Sequence, residues 1–387
     1  MQVIYANEEF PKEAKKMIFL AGPTPREKGT VSWRNEALNI LEDLGYDGHV
    51  FVPEPRSGIW RKDYYGQIKW EKKGLAMADC IIFWIPRDLE ILPGFTTNVE
   101  FGMYANSGKI VLGSPKDAPK MRYLQALGED YSVPQAMTLE DAIRKAMEMV
   151  GAGALRKGGE CDVPLHIWNI KNFQNWYRAQ KNAGNELVSA REIYNVRPGS
   201  KKNFVFIWIL HVVMYIAKED RYKKNEFILG RPDISSVLMY RMGKSILDTE
   251  IILVREFRSP AVTSDGSIHE LPGGSSKNET DPTIVASDEV FEETGLRIDR
   301  SRIRKHGARQ LAGTLSVHRS DLFSVEITEK EFQELKSRQG IAHGVLADSE
   351  RTYVEIFTMR EILKGNLVDW SMIGMISAVL MEIYDNK

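Results

Sequence analysis

The run Cys80-Ile-Ile-Phe-Trp-Ile85 sets the terms for the first part of the chain. Six apolar residues in succession carry no in–out alternation. A strand built from them must be covered on both faces, as the strands of a parallel α/β sheet are. Its surroundings repeat the theme, with short apolar strand candidates at Met17–Ala21, Val50–Val52 and Ile110–Leu112. Between and after them lie helix candidates at Ser32–Leu44, Gln67–Ala78, Thr97–Asn106 and Leu139–Val150, the first with Ser32 as N-cap and Gly45 as stop. This β-α-β-α alternation predicts an α/β domain with a doubly wound parallel sheet over residues 1–150.

The rhythm breaks after residue 150. Gly151, Gly153, Gly158 and Gly159 make a joint. Ile170, Phe173, Trp176 and Tyr177 then give Trp168–Ala183 one apolar helix face, so residues 151–200 read as a linker with a helix that docks one domain on the other. From residue 201 strand candidates dominate, at Phe204–Ile216, Val237–Arg241, Ile251–Arg255, Asp321–Ile327 and Thr352–Phe357. With helices at Pro282–Thr294 and Met372–Tyr384, they predict an α+β domain over 201–387.

A net charge of -1 over 387 residues gives no general pull toward a nucleic-acid duplex or an anionic membrane. The most apolar stretch, Phe204–Ile216, is too short to span a bilayer. Glu8, Glu9 and the charged Lys12–Lys16 segment do not read as a secretory signal. Two distant cysteines and seven scattered histidines make neither a disulfide framework nor a zinc site. These features predict a cytoplasmic enzyme or binding protein that takes a small molecule.

Two carboxylate constellations suggest the chemistry. In the later one, Glu270-Leu-Pro-Gly-Gly274 leads to Ala286-Ser-Asp-Glu-Val-Phe-Glu-Glu-Thr-Gly-Leu296. On a helix Glu289 faces the same way as Glu292 and Glu293, three and four residues on. Carboxylates so placed repel unless water or cations occupy them, and hard oxygen donors suit Mg²⁺ or Mn²⁺ shared with substrate phosphates. Gly273-Gly274 lets backbone approach closely, and Gly295 is a natural helix C-cap.

These residues resemble the Nudix box. Aligned on Gly274, the chain supplies Glu289, Val290, Glu292, Glu293, Gly295 and Leu296 in register. Arg231-Pro-Asp233, Val254-Arg-Glu-Phe-Arg258 and Glu270–Gly274 are similar to the ADP-ribose and nucleotide-sugar branch of that family. The resemblance implies a Nudix fold for the C-terminal domain. It also implies metal ligands at Glu289, Glu293 and the Gly273 backbone, with Glu292 a further ligand and catalytic residue, and Arg258 on the substrate. Thr280 and Asp288 stand where the family has a glutamate and an arginine, a departure that bears on whether the metal site turns over. Glu350, in a later loop, is a candidate base.

The earlier constellation begins at Leu20-Ala-Gly-Pro-Thr-Pro-Arg26, where a strand candidate ends and α/β sheets bind their ligands. Gly22 permits close approach, and Arg26 suits a phosphate or carboxylate. Asp79 borders the buried strand and Asp88 lies just past it. Thr97 or Asn98 can cap the next helix, which leaves Glu100 in its first turn, where the helix dipole keeps it ionised. In the aromatic segment containing Trp60 and Trp70, Tyr64 or Tyr65 could stack on a nucleobase.

Ile18-Phe-Leu-Ala-Gly-Pro23, Ala78-Asp79 and Thr97-Asn-Val-Glu-Phe-Gly102 resemble the nucleoside 2-deoxyribosyltransferase-like family over residues 15–130. The resemblance implies that Glu100 attacks the anomeric carbon while Asp79 and Asp88 position the base and assist its protonation. Gly22, Arg26, Tyr64 and Asn98 are then the candidate substrate contacts. Two readings follow. One is a bifunctional nucleotide-metabolism enzyme that breaks or transfers an N-glycosidic bond and hydrolyses a nucleoside diphosphate derivative such as ADP-ribose with Mg²⁺. The other is a sensor whose altered Nudix domain binds a nucleotide and regulates its neighbour. Relatives of both domains build sites across dimers, which points to a homodimer.

Overall fold

The computed structural model describes residues 1–25, 31–60, 63–199, 204–275, 281–345 and 350–385. The chain divides into two compact units, Met1–Arg231 and Pro232–Lys387.

The first unit opens with strands β1 (Gln2–Tyr5), β2 (Glu13–Ala14) and β3 (Met17–Ala21). Helix α1 (Trp33–Asp43), β4 (His49–Val52), α2 (Tyr64–Met77), β5 (Cys80–Trp84) and α3 (Phe95–Tyr104) follow. Then come β6 (Ile110–Gly113), α4 (Arg122–Asp130), β7 (Gln135–Ala136) and α5 (Leu139–Val150). Six strands form one parallel sheet in the order β1-β4-β3-β5-β6-β7. Every residue of β3 and β5 is buried, because separate apolar cores cover the two faces. The predicted doubly wound α/β sheet is thus present. From β3 the chain crosses to β4 on one side, and from β4 it returns past β3 to β5 on the other. That reversal opens a crevice beyond the carboxyl ends of β3 and β5, the usual ligand position in such sheets.

Ser32 caps α1 by accepting the Arg34 N–H, as its sequence position predicts. Two helices begin earlier than expected. Asp63 caps α2 by accepting the Gly66 N–H at 2.9 Å, which brings Tyr64 into the first turn. Helix α3 starts at Phe95 after Gly94 (φ 67°), whose left-handed conformation turns the chain into the helix without a side-chain cap.

The segment after α5 stays with this unit. Strand β8 (Arg156–Lys157) pairs with β2, and helices α6 (Leu165–Trp168) and α7 (Lys171–Asn182) follow. The aromatic stripe of α7 packs within the unit, with Phe173 5.7 Å from the Trp208 ring. An antiparallel sheet then runs β9 (Glu186–Val196), β10 (Ile207–Ile216) and β11 (Arg221–Gly230), with β10 central. The sequence places Phe204–Ile216 in a second domain starting at 201, whereas the compact units part at 231/232. The physical reason is that β10 hydrogen-bonds along its length to both β9 and β11, so the strands cannot be divided.

The second unit contains β12 (Ile234–Arg241), β13 (Glu250–Phe257), β14 (Ser267–Glu270), β15 (Gly273–Gly274) and α8 (Pro282–Thr294). After these come β16 (Arg304–Gln310), β17 (Arg319–Glu326), α9 (Glu329–Ser337) and β18 (Ala342–His343). It ends with β19 (Thr352–Thr358), α10 (Met359–Gly365) and α11 (Trp370–Asp385). The sheet is mixed, with β12 and β17 parallel and the other pairs antiparallel. Helix α8 buries Ala286 and Val290 in the core on one face, and α10 and α11 bury Ile362, Ile376 and Leu380 in the core on the other. Among the described residues no helix is long and apolar enough to cross a membrane.

Candidate active site at the carboxyl edge of the parallel sheet

In the matched register of β3 and β5, Ala21 stands beside Phe83, so the segments leaving both strands emerge at one edge. Gly22 is the first residue out of β3, with φ 153°, and a Cβ there would lie 2.2 Å from the Trp84 carbonyl oxygen. Only glycine fits that crossing. Arg34, the second residue of α1, is 1% exposed and threads its guanidinium beneath the strap that follows. Its Nε donates to the Leu20 carbonyl (2.9 Å) and Nη2 to the Gly22 carbonyl (2.8 Å). Nη1 donates to Thr24 Oγ1 (3.2 Å) and pairs with Glu54 Oε1 at 2.5 Å. Glu54, two residues beyond β4, also accepts from Ser32 Oγ at 2.8 Å.

Two more carboxyls lie within electrostatic reach of this cation. Glu100 on α3 is partly buried; desolvation first, and then the like charge of Glu71, raise its pKa to about 7 against the opposing pull of Arg34. Glu71 on α2 is likewise raised by burial, while a hydrogen bond from Gln67 and the charge of Arg34 act against it. Gln67 Nε2 donates to Glu71 Oε1 at 2.8 Å, and Gln67 Oε1 accepts from Asn7 Nδ2 at 3.0 Å, which fixes the amide orientation. A half-buried carboxyl pair at a sheet's ligand-binding edge can hold one proton between two acids near neutral pH.

Several sequence expectations change here. Glu100 is not in the first turn of its helix. With α3 starting at Phe95 it is the sixth residue, out of reach of the free N–H groups, and burial rather than the dipole sets its charge. Asp79 does not lie at this edge. It precedes β5, at the amino edge, with a fully buried side chain clamped by Arg156 (2.8 and 2.6 Å) and by the Met17 and Leu165 N–H groups (2.9 and 3.0 Å). Asp88 is exposed and accepts from the Glu90 and Ile91 N–H groups, which closes a turn and lowers its pKa. Asn98 accepts from Arg87 Nη2, whose Nη1 donates to the Lys120 carbonyl at 3.0 Å. Tyr64 is 62% exposed at the start of the helix carrying Gln67 and Glu71. Arg26 lies outside the described residues.

The residues that sequence reasoning missed are Arg34, Glu54, Gln67 and Glu71. A signal was present: Tyr64, Gln67 and Glu71 follow helical spacing, and Arg34 and Glu54 lie where a helix begins and a strand ends at that edge.

In the second unit, α8 is stopped by Gly295 (φ 72°) as predicted, and Asp281 caps its start by accepting the Thr283 N–H at 2.7 Å. Its glutamates do not share one environment. Glu293 is buried and accepts the Gly273 N–H at 2.8 Å; burial raises its pKa well above the usual range, that N–H lowers it, and Glu289, Glu270 and Glu256 raise it. Glu289 packs against Gly274 and is raised to about 7, by burial first, then by Glu292, Glu350 and Asp288. Glu292 is exposed, because the position next to Glu293 turns toward solvent. It borders a cleft of about 320 Å³ with Asp288, Phe291, Arg297 and Arg300. Asp288 pairs with Arg300 at 3.1 Å, which answers part of the repulsion its sequence position implies. Arg258 bridges Glu256 (2.8 Å) and Glu270 (3.2 Å). Thr280 lies outside the described residues.

The donors gathered here are all oxygens and mutually repelling, a chemistry suited to a hard divalent cation. Their geometry does not complete a cage. Among the described residues no group of three or more His, Cys, Asp or Glu side chains is placed to hold a metal ion. Glu293 is committed to Gly273, and Glu256 and Glu270 to Arg258, so the described side chains do not present a ready ligand set.

No curated protein matches the chain. Residues 15–118, which carry Gly22, Arg34, Glu54, Gln67, Glu71 and Glu100, match the family model described as nucleoside 2-deoxyribosyltransferase like, which ties this part of the chain to nucleoside and nucleotide metabolism.

Proposed function

We propose that the first unit cleaves or transfers the N-glycosidic bond of a nucleoside or nucleotide, with Glu100 as nucleophile and Glu71 as its proton-donating partner. The observation that supports this reading is that two half-buried acids, Glu100 on α3 and Glu71 on α2, lie within electrostatic reach of each other and of Arg34 inside the family-matched segment. With the one proton of the pair on Glu71, ionised Glu100 attacks the anomeric carbon, the bond to the base nitrogen breaks, and that proton passes to the departing base. The resulting sugar ester is released to water or to a second base as Glu71 takes back a proton. In this reading Tyr64, exposed in the first turn of α2, stacks on the base.

The test is base release from ribo- and deoxynucleosides and their 5′-monophosphates, followed by chromatography. Wild type releases base, Glu100→Gln falls by about 10³-fold or more, and a 2-fluoro sugar analogue leaves its mass on the wild-type chain alone. Retention of full activity in Glu100→Gln removes the nucleophile assignment.

For the second unit, the resemblance of the Glu289–Leu296 segment supports a Nudix-type reading with a nucleoside diphosphate derivative as ligand, in which uptake of Mg²⁺ or Mn²⁺ would require Glu293 and Glu270 to leave Gly273 and Arg258. Incubation with ADP-ribose and Mg²⁺ separates the two outcomes. Monophosphate products support hydrolysis, and metal-dependent binding without products supports the sensor reading. Neither binding nor turnover of any diphosphate tested would remove both.

A further inference from the structure

We infer that Arg34 is a positioning residue for this reaction: its guanidinium clamps the strap after β3 and sets a buried positive charge beside the candidate site. The inference rests on the glycosidic reading of the site. Arg34 is 1% exposed, so it does not touch substrate. Each of its three nitrogens is engaged by the protein: the Leu20, Gly22 and Pro23 carbonyls, Thr24 Oγ1 and Glu54 Oε1. Its guanidinium also lies 4.7 Å from the centre of the Trp33 ring, whose Nε1 donates to the Pro23 carbonyl at 3.1 Å. Residues 20–24 are therefore held from one buried point, and a guanidinium fork suits this task where a single ammonium does not.

The charge acts in the same place. The groups that sense Arg34 are Glu54 beyond β4, Glu71 on α2 and Glu100 on α3. Tyr104, one turn beyond Glu100 on the same helix, feels Glu100 and is itself pushed up to about 12 by burial. Glu54 contacts the guanidinium directly, at 2.5 Å, and Glu71 and Glu100 feel it through space. Its pairing with Glu54 leaves only part of its charge available to the carboxyl pair, so Glu54 and Arg34 tune Glu100 in opposite directions.

The full chain is titrated by infrared spectroscopy, with the protonated-carboxyl band of Glu100 assigned by subtracting the Glu100→Gln spectrum. Arg34→Met is expected to raise the Glu100 midpoint by about one pH unit, a tenfold change in proton affinity. Arg34→Lys keeps the charge, so its midpoint stays near wild type, while the loss of the fork lowers kcat for base release. Glu54→Gln moves the midpoint down, and this variant decides the matter if Arg34→Met does not fold. The acid limb of the base-release profile follows the same shifts. A midpoint unmoved in both Arg34→Met and Glu54→Gln overturns the inference. Moved midpoints in a chain that releases no base from any nucleoside or nucleotide uphold the electrostatic role and remove the glycosidic reading instead.

Discussion

Replacing Asp79 by asparagine separates a structural clamp from a catalytic acid. The Asp79 carboxylate accepts four hydrogen bonds, two from Arg156 and one each from the Met17 and Leu165 N–H groups, and neither charged side chain is exposed. The amide keeps the shape but removes the negative charge and one acceptor, leaving the Arg156 guanidinium unpaired in the interior. Breaking a buried ion pair from one side costs about 3–5 kcal/mol. At roughly 2–4 °C per kcal/mol for a unit of this size, the melting temperature should fall by about 6–20 °C. Replacing both partners, as in Asp79→Leu with Arg156→Met, removes the stranded charge and recovers part of that loss. Recovery is incomplete because the Met17 and Leu165 N–H groups stay buried without acceptors, at about 1–3 kcal/mol each. Thermal and urea unfolding of the full chain measure both variants. Asp79→Asn with a melting temperature within about 2 °C of wild type but no base release would refute the clamp and return Asp79 to the chemistry.

Gly22→Ala should cost about 2 kcal/mol or more through the φ and the collision with the Trp84 carbonyl, with base release falling in parallel; unchanged melting would count against the crossing described. Glu71→Gln removes the like charge beside Glu100, so the acid limb of the pH–rate profile should move below about 7 while the rate falls. Glu289, raised in the folded state to about 7, favours folding below its unfolded pKa, and that contribution is lost as pH rises through about 7. Glu289→Gln should therefore stabilise the chain by about 1–2 kcal/mol at pH 8, after allowing for solvent, and not at pH 4. Melting curves at the two pH values check the sign.

Much of the architecture was legible because it follows from local periodicity. The unbroken apolar run Cys80–Ile85 could only become a doubly covered strand, and α5 and α8 occupy the predicted ranges Leu139–Val150 and Pro282–Thr294. The starts of α2 and α3 were not legible, because Asp63 and Gly94 stop looking like loop residues only once the chain direction is known. The division into compact units at 231/232 was not legible for a related reason: β9 and β11 acquire their meaning by pairing with β10, and pairing is non-local.

For the candidate site, the motifs singled out Gly22 and Glu100, since each sits among residue types that require one another. It also put carboxylates on α8. It could not separate Asp79 from Glu100, because both are acids beside the same apolar run. Only the tertiary structure placed one at the amino edge, neutralised by Arg156 from 77 residues away, and the other at the carboxyl edge, facing Glu71 and Arg34. The difference is one of environment: an acid's chemistry depends on the charges and solvent around it, and folding alone decides which those are.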